Sequence, residues 1–433
     1  MNIPVSPFTA QKDASVYRDT DYRSGVIAAL DIGTSKVSCF IAQKIIDDDN
    51  GKSGMRIIGV GHQVSKGLRG GVVVDMVAAE KSIRKAIDAA ERMANMIVKK
   101  VVVGVTSPKL ASSSYKISLN LNGFAVNDEH MGQALLFARD KCQSPEVEVL
   151  HAIPVSYTVD DSFNVDDPRG LFGEKLIVNA HAITSPVRPV RNLLACIEKC
   201  HLKVDTLVAT PYASALACLV EDEMELGSLS IDMGGGTTGF TVFHSGAPVF
   251  SGSIAVGGNH ITADIAQGLG VSLATAERVK TLYGSALSET IENNEQFDVP
   301  LIGESGEEGL HKIQRSDISR IIRPRIEETF ELLLANLNRS GINKTHCPRA
   351  VLTGGGAMLA GARELAQHMI ERQVRIGRPI RLSGLPEASA GPAFSSCAGL
   401  IAYKKRRSND MLPATPNLPS FFGRAGKWLK RNF

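Results

Sequence analysis

The residues best placed to do chemistry are Asp232 and the glycines behind it, in Ile231-Asp232-Met233-Gly234-Gly235-Gly236-Thr237-Thr238-Gly239-Phe240. An apolar run ends on the aspartate, and the β-favouring run Thr241-Val242-Phe243 lies beyond the glycines, so the spacing predicts strand, tight turn, strand. Three consecutive glycines remove every Cβ from the turn, and backbone N–H groups can then cradle a phosphate. A carboxylate two residues ahead would repel that phosphate unless a divalent cation stood between them, which implies Mg²⁺. The same device stands at Leu30-Asp31-Ile32-Gly33-Thr34-Ser35-Lys36-Val37, and Asp31 and Asp232 are 201 residues apart. A repeat on that scale predicts a duplicated domain. Its two turns would face across a cleft and hold one polyphosphate, with Lys36 adding a point charge. A third glycine run, Gly354-Gly355-Gly356, follows the strand Arg349-Ala350-Val351-Leu352 and opens a predicted helix through His368. Bare backbone there suits a ribose, a base or a phosphate.

Two other nucleotide motifs fail on context. Gly234 to Gly239 spells G-x-G-x-x-G, yet Asn259 and His260 stand where an acidic residue would follow about 20 positions on, and a strand continues where a helix would begin. Asn50-Gly51-Lys52-Ser53 lacks the first glycine of a P-loop. One glycine turn needs no more explanation than a positive φ. Three in this order are a stronger signal.

The elements that must position these turns follow from periodicity. Strands are predicted at 55–64 and 98–106, and a helix at 77–96 with Val77, Ile83, Ile87, Ala90 and Ala94 on one face. Residues 107–187 break that pattern with short alternating segments, a helix at 128–142 and a strand at 175–183. Further helices are predicted at 189–200 and 317–338, a polar loop at 285–309, and connectors between the halves beginning at Val208 and spanning 392–403. The second connector is rich in Gly, Ala and Ser, as a helix packed on another backbone would be.

Length suggests two to four domains or subdomains for 433 residues, and 43% hydrophobic with 21% charged residues is ordinary globular material. The net charge of +3 gives no nucleic-acid character. Seven cysteines, an odd number in no framework spacing, suit a reducing cytoplasm. Cys196 and Cys200, with His201 beside them, read as helix core rather than a metal cluster. The first 25 residues lack the apolar core of a signal peptide, and no run of 18 apolar residues is present.

The charge is unevenly placed: residues 404–433 hold eight Lys/Arg and one Asp, +7, leaving the body at −4. On a helical wheel Phe421, Phe422, Ala425, Trp428, Leu429 and Phe433 share one side, while Arg424, Lys427, Lys430 and Arg431 lie toward the other. Four cations, no acid and the single Trp of the sequence predict a helix lying in an anionic membrane surface. The alternative is a terminal helix docked on the body. Gly423 and Gly426 make it a poor isolated helix, so it suits an element that folds on a supporting surface.

Asp31-x-Gly33-Thr34-Ser35-Lys36, Asp232-x-Gly234-Gly235-Gly236-Thr237 and Gly354-Gly355-Gly356 resemble the two phosphate motifs and the adenosine motif of the actin/hexokinase/heat-shock ATPase superfamily. Within it the chain resembles the FtsA family of actin-like bacterial cell-division proteins. Val155-Ser156-Tyr157-Thr158-Val159-Asp160, followed by Asp167-Pro168-Arg169-Gly170-Leu171-Phe172-Gly173, is similar to that family's insert subdomain. Gly257-Gly258-Asn259-His260 with Ala276-Glu277-Arg278-Val279-Lys280 resembles its nucleotide-side helices. The likeness covers residues 24–404 and the extreme C-terminus.

The resemblance implies an α/β, two-lobed actin-like ATPase fold: duplicated RNase H-like domains flank a nucleotide cleft, with an insert subdomain and a C-terminal amphipathic helix. It divides the chain into a disordered tail (1–23), a first core subdomain (24–106, 188–226 and 386–404), the insert (107–187), a second core subdomain (227–258 and 318–385), an outer subdomain (259–317), a linker (405–416) and the membrane-targeting helix (417–433). ATP would be held by Gly33, Thr34, Ser35, Lys36, Gly234, Gly235, Gly236, Thr237, Gly354, Gly355, Gly356 and Met358, with Asp31 and Asp232 acting on Mg²⁺, mostly through its waters. Glu277 and Lys280 would meet ribose and base; their spacing alone fits a surface ion pair equally well. Hydrolytic relatives carry a carboxylate just before the proline of the first connector; here Thr210 precedes Pro211, which implies weak or absent hydrolysis. The implied function is a self-associating adaptor at the cytoplasmic face of the inner membrane, at the division septum. It would bind the C-terminal peptide of FtsZ and help recruit other division proteins. Arg325, with Arg320 and Arg323 on one predicted helix, suits an acidic peptide, and the same row equally fits a solvated face. Two alternatives stand beside this one: a small-molecule kinase of the superfamily and a pilus-assembly actin homologue.

Overall fold

The computed structural model describes residues 18–19, 25–46, 53–287, 296–303 and 310–409. The predicted membrane helix with all nine of its named contact residues, and all of the N-terminal stretch except Arg18–Asp19, lie outside the described residues.

The repeat seen in sequence is a repeat of whole sheets. Strands Val26–Ile32, Lys36–Ile46 and Ser53–Val64 form an antiparallel meander, and Lys100–Val105 and Lys203–Ala209 add in parallel beyond its first strand. The second sheet follows the same plan. Ser228–Met233, Thr238–His244 and Ala247–Ile254 form the meander, and Arg349–Thr353 and Gln373–Ile376 are the added parallel strands. Val26–Ile32 is buried along nearly its whole length, as expected of a strand covered on both faces.

The helix Met76–Ala94 crosses over the first sheet. Asp75 caps its start by accepting from the amides of Val77 and Ala78, both at 3.0 Å. Ile83, Ile87 and Ala90 are buried as the period predicts, whereas Val77, in the first turn, is 58% exposed. A Cβ on Gly61 would lie 1.9 Å from the Ala86 carbonyl oxygen, so only glycine lets the strand pass this close beneath the helix.

Residues of the predicted insert form a separate antiparallel sheet in the order Ser162–Val165, Val147–Val159, Lys175–Pro186, Ala111–Asn120. The helix Asp128–Cys142 packs on it around a core that includes Leu119, Met131, Tyr157 and Leu176. On the other lobe, helices Gly258–Leu269 and Leu273–Tyr283 and the long helix Arg315–Arg339 form the outer wall.

Two expectations need correction. The stretch read as a polar loop, 285–309, contains the strand Gln296–Pro300, paired antiparallel with Leu310–Gln314. Phe297 stacks on Tyr283 with ring centroids 3.9 Å apart, a tertiary contact that local pattern does not reveal. The linker drawn from residue 405 begins too early, because the second connector helix runs Ser395–Asn409. Cys196 is buried on the helix Val187–Lys199 and Cys200 at its C-terminal cap, and among the described residues no group of three or more His, Cys, Asp and Glu is placed to hold a metal. No helix among them is long and apolar enough to cross a membrane.

Candidate functional site

The two carboxylates end equivalent strands. Asp31 pairs with Ser38 and Asp232 with Gly239 across their hairpins, and each turn closes with the same bond: Gly33 N–H to Lys36 O and Gly234 N–H to Thr237 O, both 2.9 Å. The turns meet face to face. A Cβ on Gly235 would lie 1.9 Å from Ser35 Oγ, and one on Gly236 2.6 Å from Thr34 Oγ1. The glycines therefore serve the approach of one turn to the other, as well as any approach by phosphate. Ser35 Oγ donates to Asn259 Oδ1 at 3.0 Å across the cleft, and Thr34 Oγ1 accepts from the Gly71 amide at 2.8 Å. Behind the second turn, the carbonyls of Gly234 and Gly235 accept from the amides of Gly258 and Asn259 at 2.9 and 2.7 Å. Because a trans peptide unit points its N–H opposite to its C=O, the amides of Gly235 and Gly236 are aimed the other way.

Between the turns lies a cavity of about 570 Å³, the size of a small-molecule site. Its lining includes every residue predicted for nucleotide or metal: Asp31, Gly33, Thr34, Ser35, Lys36, Asp232, Gly234, Gly235, Gly236, Thr237, Glu277, Lys280, Gly354, Gly355, Gly356 and Met358, together with Thr210. Gly354, at φ 84°, needs its missing side chain, since a Cβ would lie 2.4 Å from Asp232 Oδ1. Glu277 and Lys280 are an ion pair at 2.7 Å and also part of the cavity wall, with Thr262 Oγ1 bonded to both. Arg325 is elsewhere, on the outer wall. Its guanidinium grips Asp264 with two bonds of 2.6 and 2.9 Å and reaches Glu328 as well. The other two cations of that row are also paired, Arg320 with Asp317 and Arg323 with Glu327.

Burial sets the electrostatics. It pushes the Asp31 carboxyl up to about 7; Lys36 opposes the rise and Asp232 adds to it. Asp232 is also raised by burial, against the hydroxyls of Ser214 and Ser396 and the charge of Lys36. The same desolvation brings Lys36 down to about 8. Its ammonium donates to the Ala393 carbonyl at 2.6 Å and sits 3.2 Å over the Phe394 ring, a placement for which the motif gave no signal. Two neighbouring buried carboxylates, both hard to ionise, form a site short of positive charge, and a divalent cation fits that deficit. Thr210 Oγ1 bonds to Val105 O at 3.3 Å and lies 3.2 Å from Thr106 Oγ1, so the position before Pro211 offers a hydroxyl and no base.

The Asp31 shift fixes a pH dependence. The folded carboxyl holds its proton to about pH 7 and the unfolded one releases it near 3.8, so the folded state binds the extra proton between those values. The contribution of Asp31 to the stability of the nucleotide-free protein therefore falls as pH rises from 4 to 7 and levels off above, while buried His181, held down to about 4 from 6.5, works in the opposite sense between those two values. Urea unfolding at pH 5 and pH 8 should show the parent losing about 2 kcal/mol relative to Asp31→Asn. A parent and a variant whose stabilities change equally between the two pH values would contradict the shift.

Sequence comparison places these features among known proteins. The model of the family described as "Cell division protein FtsA" matches residues 229–399, and that of the "SHS2 domain inserted in FTSA" matches residues 107–184. The chain is 39% identical to a cell division protein FtsA of Agrobacterium fabrum, over 95% of this chain and 96% of that one. It is 31% identical to the Escherichia coli K12 protein of the same name, over 94% and 98%. Solved structures of similar fold include a PilM–PilN type IV pilus biogenesis complex (TM-score 0.60, 18% identity, 87% of this chain and 98% of that one). Another is MreB5 of Spiroplasma citri bound to ADP (TM-score 0.52, 16% identity, 89% and 98%). The architecture is the two-lobed actin-like ATPase fold with an insert domain.

Proposed function

The chain belongs to the FtsA family of actin-like bacterial cell-division proteins, and from that premise we propose that it is an ATP-binding, self-associating adaptor that tethers FtsZ filaments to the cytoplasmic face of the inner membrane at the septum. The observation that carries the nucleotide half is the convergence of both glycine turns, both buried carboxylates and the third glycine run on one cavity. Gly33, Thr34, Ser35 and Lys36 would hold the phosphates from one lobe and Gly234, Gly235, Gly236 and Thr237 from the other. Gly354, Gly355, Gly356 and Met358 would lie against the adenosine, and Glu277 with Lys280 against ribose and base. Mg²⁺, when bound, would supply the positive charge that Asp31 and Asp232 lack. The family assignment supports this reading over the kinase and pilus alternatives, since the pilus likeness extends to the fold alone.

Phosphoryl transfer to water requires a residue that orients that water. Thr210 supplies no carboxylate, and its hydroxyl is turned to Val105 and Thr106. ATP should therefore bind with one molecule per chain and release phosphate slowly or not at all. Turnover matching that of chaperone relatives would contradict this.

The FtsZ tail peptide would dock on the outer wall, where its acidic groups compete with Asp264 for Arg325. The segment 417–433 would hold the membrane through Phe421, Phe422, Trp428, Leu429 and Phe433 below and Arg424, Lys427, Lys430 and Arg431 at the headgroups. Later division proteins would be recruited to the assembled layer. Calorimetric titration of the full chain with ATP and Mg²⁺ tests the nucleotide half: saturable binding at one site is expected, and no detectable heat or competition would overturn it.

A further inference from the structure

The duplicated aspartates are not held alike. Among the described residues no side chain donates a hydrogen bond to the Asp31 carboxylate, whereas Asp232 Oδ2 accepts two, from Ser214 Oγ at 2.5 Å and Ser396 Oγ at 2.9 Å. The serines lie 3.0 Å from each other. Each hydroxyl has a single proton to give. Within this trio either serine hydroxyl could also donate to the other. The serines come from the two helices that carry the chain between lobes, Thr210–Cys218 and Ser395–Asn409. Those helices touch beside them: a Cβ on Gly399 would lie 1.8 Å from the Ala213 carbonyl oxygen. Oδ1 is given no donor and stands against the backbone of Gly354.

We infer that Ser214 and Ser396 are positioning residues: they fix the rotation of the Asp232 carboxylate by occupying Oδ2, which commits Oδ1 to the cation that accompanies the nucleotide. Asp31, without such donors, serves as the adjustable partner. This rests on the reading of the cleft as an ATP·Mg²⁺ site. Groups that orient a metal ligand typically change metal affinity by about 10–100-fold when removed.

The test compares the full-length parent with Ser396→Ala, Ser214→Ala, the double variant and Ser396→Thr, titrating ATP calorimetrically in Mg²⁺ and in EDTA. The parent should bind more tightly in Mg²⁺. The double variant should lose about tenfold or more of that Mg²⁺ enhancement while its affinity in EDTA is unchanged, and Ser396→Thr, which keeps the hydroxyl, should restore it. Alanine variants that keep the full enhancement would overturn the inference. So would an equal loss in EDTA and Mg²⁺, since that marks a merely structural role. A parent that binds ATP without any benefit from Mg²⁺ overturns it while leaving the nucleotide reading intact. A parent that binds no ATP removes both.

Discussion

Gly399→Ala should destabilise the protein by about 3 kcal/mol, the upper range for overpacking a close contact. In an ordinary helix interior the change would help, because glycine costs about 1 kcal/mol relative to alanine. Here the added Cβ would lie 1.8 Å from the carbonyl oxygen of Ala213 and 2.2 Å from its carbonyl carbon. Both are backbone atoms of the other connector helix, in a segment buried at every position, so neither can rotate away. Either the helices part or the chain strains, and both outcomes disturb Asp232 through Ser214 and Ser396. Nucleotide affinity should fall along with stability. Gly391, whose added Cβ would meet nothing within 4 Å, is the control: Gly391→Ala should change stability by less than about 0.5 kcal/mol. Urea unfolding of both variants decides it, and an unchanged midpoint for Gly399→Ala would show that the connectors do not cross this closely.

A chain ending at Thr415 should lose at least about a thousandfold of its affinity for anionic vesicles. The four cations of 417–433 are each worth about 1 kcal/mol near such a surface, and about 4 kcal/mol is a factor of about 10³ before the aromatic residues are counted. The loss should shrink as salt is raised, since screening removes the charge part and leaves the apolar part. The proposed self-association would present many copies of this weakly binding segment at once, so ATP should strengthen vesicle binding of the full chain through avidity. Partitioning measured at low and high salt checks this; a truncated chain that still partitions like the parent would contradict it.

The glycine turns were legible in sequence because their geometry is local. Asp, a two-residue offset and glycines without Cβ atoms define the hairpin without reference to the rest of the fold, and repetition 201 residues later implied the second sheet. The third glycine run was legible for the same reason. What the sequence concealed depends on distant partners. Ser214 and Ser396 are 182 residues apart and neither lies in a motif; only the crossing of the connectors brings them to Asp232. Arg325 reads as a spare cation on a helix until the fold sets Asp264, 61 residues earlier, against it. Lys36 belongs to the phosphate turn by position, but its ammonium is directed to Ala393 and Phe394, 357 and 358 residues on, by packing between the first sheet and the second connector. The strand Gln296–Pro300 was hidden by polar neighbours, and its pairing depends on Phe297 finding Tyr283.

Sedimentation of FtsZ filaments with anionic vesicles tests the proposed adaptor function most directly. Filaments should pellet with the vesicles when the full chain and ATP·Mg²⁺ are present. They should remain in the supernatant when the chain ends at Thr415. Filaments that reach the vesicles equally well with the shortened chain, or that ignore the full chain under every nucleotide condition, would contradict it.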